Sequence, residues 1–166
     1  ALALPLPSED DIAQVLHERG TAPDPLAIHA ARHALSASIA TAMGPDLERL
    51  YHDMAVPGPY TPEAGAAGKR ALRSAMLNLL THRDNGAVAR GQYAAANNMT
   101  EQLSALSCLL RTGNAKTETA AFYEQWHKND LVMDKWFTLQ ASLAPPEHAV
   151  EITRALSNHK DFDWKN

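Results

Sequence analysis

Helix start and stop signals divide this chain along its whole length. Ser8 is followed by acidic residues, as at a helix N-terminus, and Gly20 ends that first segment. Pro25 and Pro45 start two further helices, because proline fits the first turn but cannot continue a helix that is already formed. Apolar residues recur at steps of three and four, and no useful stretch alternates with a period of two. The sequence therefore predicts an all-α fold of about eight or nine helices.

A proline-rich stretch, residues 56–62, separates two groups of helices. Its prolines are too dense for a helix or an inner strand, so a loop is expected there. We predict a single helical domain over residues 1–166, with a first helical group at 1–55 and a second at 63–166. Helices of roughly 10 to 20 residues joined by short turns favour stacked antiparallel helix pairs, as in armadillo or HEAT arrays. Because the repeats give no clear period, a helix bundle stays open on pattern alone.

The segment after the proline-rich stretch carries an apolar stripe with basic residues beside it. The stripe consists of Ala71, Leu72, Ala75, Met76, Leu79 and Leu80. Lys69, Arg70 and Arg73 fall largely off this stripe. The pattern predicts a core-facing stripe and a solvated basic face that binds no ligand.

Two histidines, His29 and His33, lie one helical turn apart, which is the spacing of a helical zinc pair. A zinc peptidase needs a glutamate next to the first histidine as general base, but Ala30 stands there. No third ligand follows at a recognisable spacing. We therefore expect ordinary helix surface or core, and we assign no catalytic, cofactor-binding or metal-binding residue in this chain. A self-contained enzyme built on this pair is the alternative, and it requires a bound metal.

Cys108 is the only cysteine, so no disulfide can form within the chain. It sits on or beside an apolar stripe, and no neighbour in the sequence would lower the pKa of its thiol. We expect a buried structural thiol rather than a nucleophile, and a reducing compartment.

The charge balance argues against nucleic acid as a partner. The chain has 15 basic and 19 acidic residues, a formal net charge of -4, and therefore lacks the positive surface that a phosphate backbone requires. A membrane partner is not expected either, because no apolar run approaches the roughly 18 residues that a spanning helix needs. A soluble protein is predicted.

Two runs carry a resemblance to a known family. Residues 95–101 (AANNMTE) and residues 122–141 (FYEQWHKNDLVMDKWFTLQA) resemble signature runs in the C-terminal helical domain of the bacterial aminopeptidase N family, the alanyl aminopeptidases among the M1 zinc metallopeptidases. Shorter matches occur at residues 6–9, 69–73 and 159–162, and all the matches have the same order along the chain as in the family. The resemblance therefore covers nearly the whole chain.

The resemblance implies a cytoplasmic parent enzyme that removes N-terminal residues from peptides with one zinc ion held by a His-Glu-x-x-His motif. That motif does not occur in this sequence, so zinc is expected in the parent and no cofactor in this fragment. The fragment is predicted to be inactive by itself. Its implied role is to pack over the catalytic domain of the same polypeptide and to restrict the access of peptide substrates.

The resemblance also concerns individual residues. Asn98 with Glu101 has the form of a capping box, and we expect Trp126, Trp136 and Phe137 to be packing anchors. The alternative for these residues is a role in lining the active-site cavity of the parent or in docking against its catalytic domain. Asp134 and Lys135 are candidates for pairing with neighbouring helices.

Family members continue beyond the position of Asn166, so the array is expected to be truncated at its C-terminal end and to associate through an exposed apolar face. A second hypothesis is an independent helical-repeat module that grips a peptide or protein on its concave face.

Overall fold

The structure, a computed structural model, describes residues 6–164 of the chain. Within these residues all regular structure is helical, and no strand occurs. The helices are α1 (Glu9–Glu18), α2 (Pro25–Met43), α3 (Pro45–Asp53), α4 (Ala64–Asp84), α5 (Ala87–Ala95), α6 (Met99–Arg111), α7 (Lys116–Trp126), α8 (Asp130–Ser142) and α9 (Ala149–Ser157). The predicted all-α class is confirmed.

Helix α1 begins at a capping box. The Oγ atom of Ser8 accepts a hydrogen bond from the backbone N–H of Asp11 at 3.0 Å, and the backbone N–H of Ser8 donates to the Asp11 carboxylate at 3.0 Å. Hydrogen bonds from Ser8 lower the pKa of the Asp11 carboxyl, because they favour its ionised form. Gly20, just past the helix, has a φ of 76°, a left-handed conformation that ends a helix without steric cost. Both predicted boundaries are confirmed.

Helix α2 begins where the sequence places it. The Oδ1 atom of Asp24 accepts hydrogen bonds from two backbone N–H groups of the first turn, at 3.0 and 3.1 Å. Pro25 is the first helical residue, and its missing N–H costs nothing there. Gly44 then ends α2 with a φ of 52°, and Pro45 starts α3.

The helices form two compact units, which divide between Val88 and Ala89 inside α5. In the first unit α3 packs on α4, and α2 packs on both. Residues 56–62 lie between α3 and α4, so the proline-rich stretch connects two helices that contact each other. The expected domain organisation, a single domain with helical groups at 1–55 and 63–166, stays a prediction.

The core of the first unit is centred on α4. Its buried apolar residues are Ile28, Ala40, Leu47, Tyr51, Met76, Leu77, Leu79 and Leu80. Met76, Leu79 and Leu80 belong to the predicted stripe, whereas Ala71 of that stripe is exposed and Leu77, outside it, is buried. Because α4 packs against both α2 and α3, its buried face is wider than a single stripe.

The prediction of a solvated basic face on α4 is wrong for two of its three residues. Only 3% of Arg70 is exposed, and its Nη2 donates to the carbonyl oxygen of Thr61 at 2.8 Å. Arg73 is half-buried, donates to the hydroxyl of Tyr51 at 3.1 Å, and lies 4.5 Å from the centre of the same ring. Lys69 is exposed as predicted. The spacing of apolar residues predicts that the charged residues between them are exposed. A planar guanidinium can nevertheless be buried where a carbonyl oxygen accepts its hydrogen bond and an aromatic ring packs on its face.

The second unit is built around α7 and α8. Its core cluster consists of Leu106, Phe122, Val132, Met133, Trp136, Phe137 and Leu156. Tyr93, Tyr123, Trp126 and Phe162 are partly buried aromatic residues that pack against it. Trp126, Trp136 and Phe137 therefore pack as the sequence predicted.

Helix α6 begins at the predicted cap. The Oδ1 atom of Asn98 accepts a hydrogen bond from the backbone N–H of Glu101 at 3.0 Å. The side-chain amide of Asn98 donates in turn to the Glu101 carboxylate at 3.0 Å and to Oδ1 of Asn97 at 2.9 Å. One asparagine side chain thus acts as acceptor and donor at the same helix end.

Candidate functional site

His29 and His33, the two histidines at the spacing of a helical zinc pair, contact different residues. Nδ1 of His29 lies 2.9 Å from the Glu9 carboxylate, on α1. The ring of His33 packs edge-on against the ring of His82, on α4, with 4.7 Å between the ring centres. In the part of the chain that the structure describes, no three His, Cys, Asp or Glu side chains come together as a possible metal site. These residues do not offer the three protein ligands that a catalytic zinc needs, and the expectation that the fragment holds no metal stays a prediction.

Cys108 lies in the interior of α6 with 2% of its surface exposed. Its apolar neighbours on the same helix, Ala105 and Leu109, are fully buried. A buried thiol in such surroundings is shielded from reagents, and the expected structural role agrees with this burial.

The second unit contains an open groove of about 700 Å³. Its walls are α7, the C-terminal half of α8 and the start of α9, together with the loops before α7 and α9. Leu110 of α6 and His159, which follows α9, line it as well. The groove residues are Leu110, Gly113, Ala115, Lys116, Thr119, Ala120, Tyr123, Glu124, Trp136, Gln140, Leu143, Ala144, Pro145, His148, Glu151, Ile152 and His159. Helix α8 packs on both α7 and α9, so it holds the two walls in place.

Trp136 is an aromatic residue of the groove that a hydrogen bond and ring contacts hold in place. Its indole N–H donates to the carbonyl oxygen of Thr119 at 3.0 Å, across from α8 to α7. Its ring centre lies 5.4 Å from that of Tyr123 and 5.0 Å from that of Phe137. Only 6% of the residue is exposed. The groove therefore has a rigid aromatic side chain in its wall.

A polar contact ties the segment after α9 to α7. The phenol of Tyr123 donates a short hydrogen bond to the carboxylate of Asp161. This hydrogen bond is the main reason why the pKa of Asp161 lies below its ordinary value of 3.8. The ammonium of Lys160 lies 5.8 Å from the centre of the Tyr123 ring, and the His127 ring stacks on that ring at 5.4 Å. Tyr123 is thus held at the edge of the groove from several sides.

Charged side chains stand around the groove. Lys116 is the first residue of α7, and Glu124 follows on the same helix. Glu151 of α9 and His148, which precedes α9, line the groove as well. All four residues are exposed, so a ligand can reach them.

No motif in the sequence pointed to this groove. Its residues come from four helices, the two loops before α7 and α9, and the segment after α9, and only their packing brings them together. A partial signal was present, because Tyr123 and Trp136 belong to the run at residues 122–141. Asp134 and Lys135 of the same run are exposed on α8, and their expected pairing stays a prediction.

Helices that combine bilayer-spanning length with apolar composition are absent from residues 6–164.

The whole chain, residues 1–166, matches the family described as "Domain of unknown function (DUF3458_C) ARM repeats". The chain therefore belongs to this family of armadillo-type helical domains, and the predicted armadillo-like class of fold is confirmed.

Three bacterial relatives identify the kind of protein in which such a segment occurs. The chain is 39% identical to aminopeptidase N of Caulobacter vibrioides over 100% of its length. It is 34% identical to aminopeptidase N of Escherichia coli over 98% of its length, and 33% identical to aminopeptidase N of Haemophilus influenzae over 99%. The chain spans 19% of the length of each of these relatives. The resemblance to the C-terminal helical part of bacterial aminopeptidase N is confirmed.

Proposed function

We propose that this chain is a non-catalytic part of a zinc metalloaminopeptidase that removes N-terminal amino acids from peptides. The observation that carries the proposal is the similarity to aminopeptidase N over 98 to 100% of the chain. The sequence has no His-Glu-x-x-His motif, which supports a division of labour in which zinc is bound elsewhere in the parent polypeptide.

The role proposed for this part is to pack over the catalytic domain and to restrict which peptides reach the zinc. Helical arrays suit such a role, because their stacked helix pairs offer extended surfaces. The partners are then the catalytic domain of the same polypeptide and the parent's peptide substrates. A cytoplasmic location is part of the proposal, and the single cysteine supports it.

The first test is an activity assay on the purified 166-residue chain. With added zinc and an alanyl chromogenic amide as substrate, no release of alanine is expected. Robust activity that a chelator abolishes would overturn the proposal and would indicate a metal site within this chain. His33→Ala is the informative variant in that case, since it breaks the only helical histidine pair at zinc spacing.

The second test concerns packing in the full-length parent. Chemical cross-linking should join exposed lysines of this segment, such as Lys69 or Lys128, to lysines of the catalytic domain. Substitutions at the cross-linked surface should alter kcat/KM for long peptides more than for the small alanyl amide, while the zinc content stays unchanged. Equal effects on both substrates would contradict a role in substrate access. A tight, reproducible partner of the isolated chain would instead favour an independent binding module.

A further inference from the structure

We propose that Asn85 is a modification site, at which the side-chain amide is converted to a carboxylate through a cyclic imide, and that the turn after α4 controls the rate of this reaction. Water is the only other reactant that the conversion needs. The inference concerns the chemistry of one turn in the first unit, so it stands or falls separately from the proposed function.

The backbone of this turn explains why asparagine and glycine stand there. Asn85, which follows α4, has a φ of 52°, and Gly86 has a φ of 84°. Two successive residues in the left-handed region favour asparagine and glycine, because most other side chains meet a steric cost there. Of the asparagines in the sequence, only Asn85 is followed by glycine. The conformation of the turn thus selects a pair of residues that is also chemically labile.

The lability of this pair comes from an attack of the main chain on the side chain. The backbone nitrogen of Gly86 loses its proton and attacks the side-chain carbonyl carbon of Asn85. A C–N bond forms, and the amide nitrogen leaves with a proton as ammonia. Water then opens the five-membered imide at either of its two carbonyl groups, which leaves aspartate or isoaspartate. Glycine favours the attack, because it has no side chain to shield its nitrogen.

The native turn slows the ring closure, because it keeps the two reacting groups apart. At a ψ of 35°, the Cβ atom of Asn85 and the nitrogen of Gly86 lie nearly opposite each other across the Cα–C bond, since the substituents of Cα are about 120° apart. A five-membered ring requires these two atoms to be nearly eclipsed. Asn85 must therefore leave the left-handed conformation before its side chain can react, although the residue is exposed to water.

Asp84 restrains the attacking nitrogen in a second way. Its Oδ1 atom accepts a hydrogen bond from the backbone N–H of Gly86 at 2.9 Å, and its Oδ2 atom accepts one from the N–H of Val88 at 2.7 Å. The two hydrogen bonds hold the turn between α4 and α5. A carboxylate beside the Gly86 amide also disfavours the nitrogen anion that attacks, because like charges repel. Asp84 is therefore a positioning residue that protects Asn85.

The reaction alters the turn in which it takes place. Either product adds a negative charge beside Asp84, and isoaspartate also adds a methylene group to the main chain. A longer main chain between α4 and α5 no longer places the N–H groups of Gly86 and Val88 on the Asp84 carboxylate. The modified chain is therefore expected to be less stable at the start of α5, where these N–H groups lose their acceptor.

The test compares the 166-residue chain with a synthetic peptide of residues 82–90, which is too short to form a stable helix. Both are incubated at the same mildly alkaline pH. Trypsin cuts after Arg83 and Arg90, so mass spectrometry of residues 84–90 detects deamidation of Asn85 as a gain of about 1 Da. Chromatography separates the aspartate and isoaspartate products. Asn85 should react at least about tenfold more slowly in the folded chain than in the peptide.

Variants of Asp84 test the protection directly. Asp84→Ala removes both hydrogen bonds and should raise the rate at Asn85 severalfold, whereas Asp84→Ser keeps one acceptor and should raise the rate less. The matched control is Asp53→Ala, because Asp53 is the exposed last residue of α3, as Asp84 is the last residue of α4. It contacts Arg49, and its loss should leave the rate at Asn85 unchanged. Circular dichroism verifies that each variant is folded.

Two results would overturn the proposal. The first is a deamidation rate at Asn85 that is the same in the folded chain and in the peptide, because the turn would then give no protection. The second is a product that contains aspartate but no isoaspartate, because this would indicate direct hydrolysis without a cyclic imide. Both results come from the unaltered chain and the peptide, so a variant that fails to fold does not prevent the decision. Equal rates in the unaltered chain and in folded Asp84→Ala would contradict the protective role of Asp84.

Discussion

The guanidinium carbon of Arg70 lies 4.6 Å from the centre of the Tyr60 ring. The same guanidinium donates to the carbonyl oxygen of Thr61, the next residue in the proline-rich stretch. Arg70 is almost fully buried, whereas its neighbour Lys69 is exposed. A buried cation on α4 therefore holds the loop before that helix through one hydrogen bond and one cation–π contact.

Removing this contact should destabilise the first unit. We expect Arg70→Ala to lower the free energy of unfolding by about 1 to 3 kcal/mol, since it removes a charge-assisted hydrogen bond and an aromatic contact. Arg70→Lys should recover only part of the loss, because an ammonium has no planar face to stack on Tyr60. Urea denaturation followed by circular dichroism measures both. Lys69→Ala is the control, and it should change the free energy of unfolding by less than about 0.5 kcal/mol. Equal losses of stability for Arg70→Ala and Lys69→Ala would show that Arg70 does not hold the loop.

Phe122 should dominate the stability of the second unit. Its side chain is fully buried in the core cluster, and Phe122→Ala is expected to lower the free energy of unfolding by about 3 to 5 kcal/mol through lost burial and the cavity left behind. Leu131→Ala is a useful comparison, because 76% of Leu131 is exposed and its loss should change stability by less than about 0.5 kcal/mol. Guanidinium denaturation monitored by tryptophan fluorescence compares the two. A small loss for Phe122→Ala would contradict the packing of α7 described above.

The cap at Asn98 allows a prediction at a helix end. Asn98→Ala removes the side-chain oxygen that accepts the hydrogen bond from the Glu101 N–H. It should lower the free energy of unfolding by about 0.5 to 2 kcal/mol. Asn98→Ser keeps an oxygen acceptor at the same place and should restore most of the stability. Thermal unfolding of the unaltered chain and of the two variants measures these changes. Equal melting temperatures for the alanine and serine variants would show that the side-chain oxygen does not stabilise the start of α6.

These residues show what the sequence could and could not predict. Ser8, Asn98 and Gly20 act within a few residues of their own position, so their local chemistry predicts helix ends without knowledge of the fold. Apolar periodicity likewise identified Met76, Leu79 and Leu80 as buried. Arg70 and Arg73 were misplaced, because their partners Tyr60 and Tyr51 precede α4 in the chain and come into contact only through packing.

The groove illustrates the same limit. Lys116 and Glu124 share one helix, and their spacing is visible in the sequence. Ile152 and Leu143 line the same space only because α8 packs on both α7 and α9, which no local pattern encodes. The run at residues 122–141 was informative about family, and it contained Trp136, but it did not indicate that an open groove lies beside that side chain.

The hydrogen bond between Tyr123 and Asp161 predicts how the second unit responds to acid. The pKa of Asp161 is lowered in the folded chain, chiefly because the Tyr123 hydroxyl donates to the carboxylate, and the charges of Lys160, His159 and His127 add to the effect. A carboxyl whose folded pKa lies below its unfolded value stabilises the fold above the ordinary value of 3.8. This contribution is lost as the pH falls through the folded pKa. Tyr123→Phe should raise the pKa of Asp161 toward 3.8 and should reduce the loss of stability below about pH 4.

Titration of the Asp161 carboxyl carbon by NMR measures the change in pKa directly, and urea denaturation between about pH 2.5 and about pH 6 measures its consequence for stability. Tyr60→Phe serves as the control, because Tyr60 lies in the first unit and contacts Arg70 rather than Asp161. An Asp161 titration midpoint that is the same with Tyr123 and with Phe at this position would show that the phenol does not stabilise the carboxylate in solution. A shift confined to Tyr123→Phe would show that the segment after α9 is held to α7 by this hydrogen bond, beside the groove.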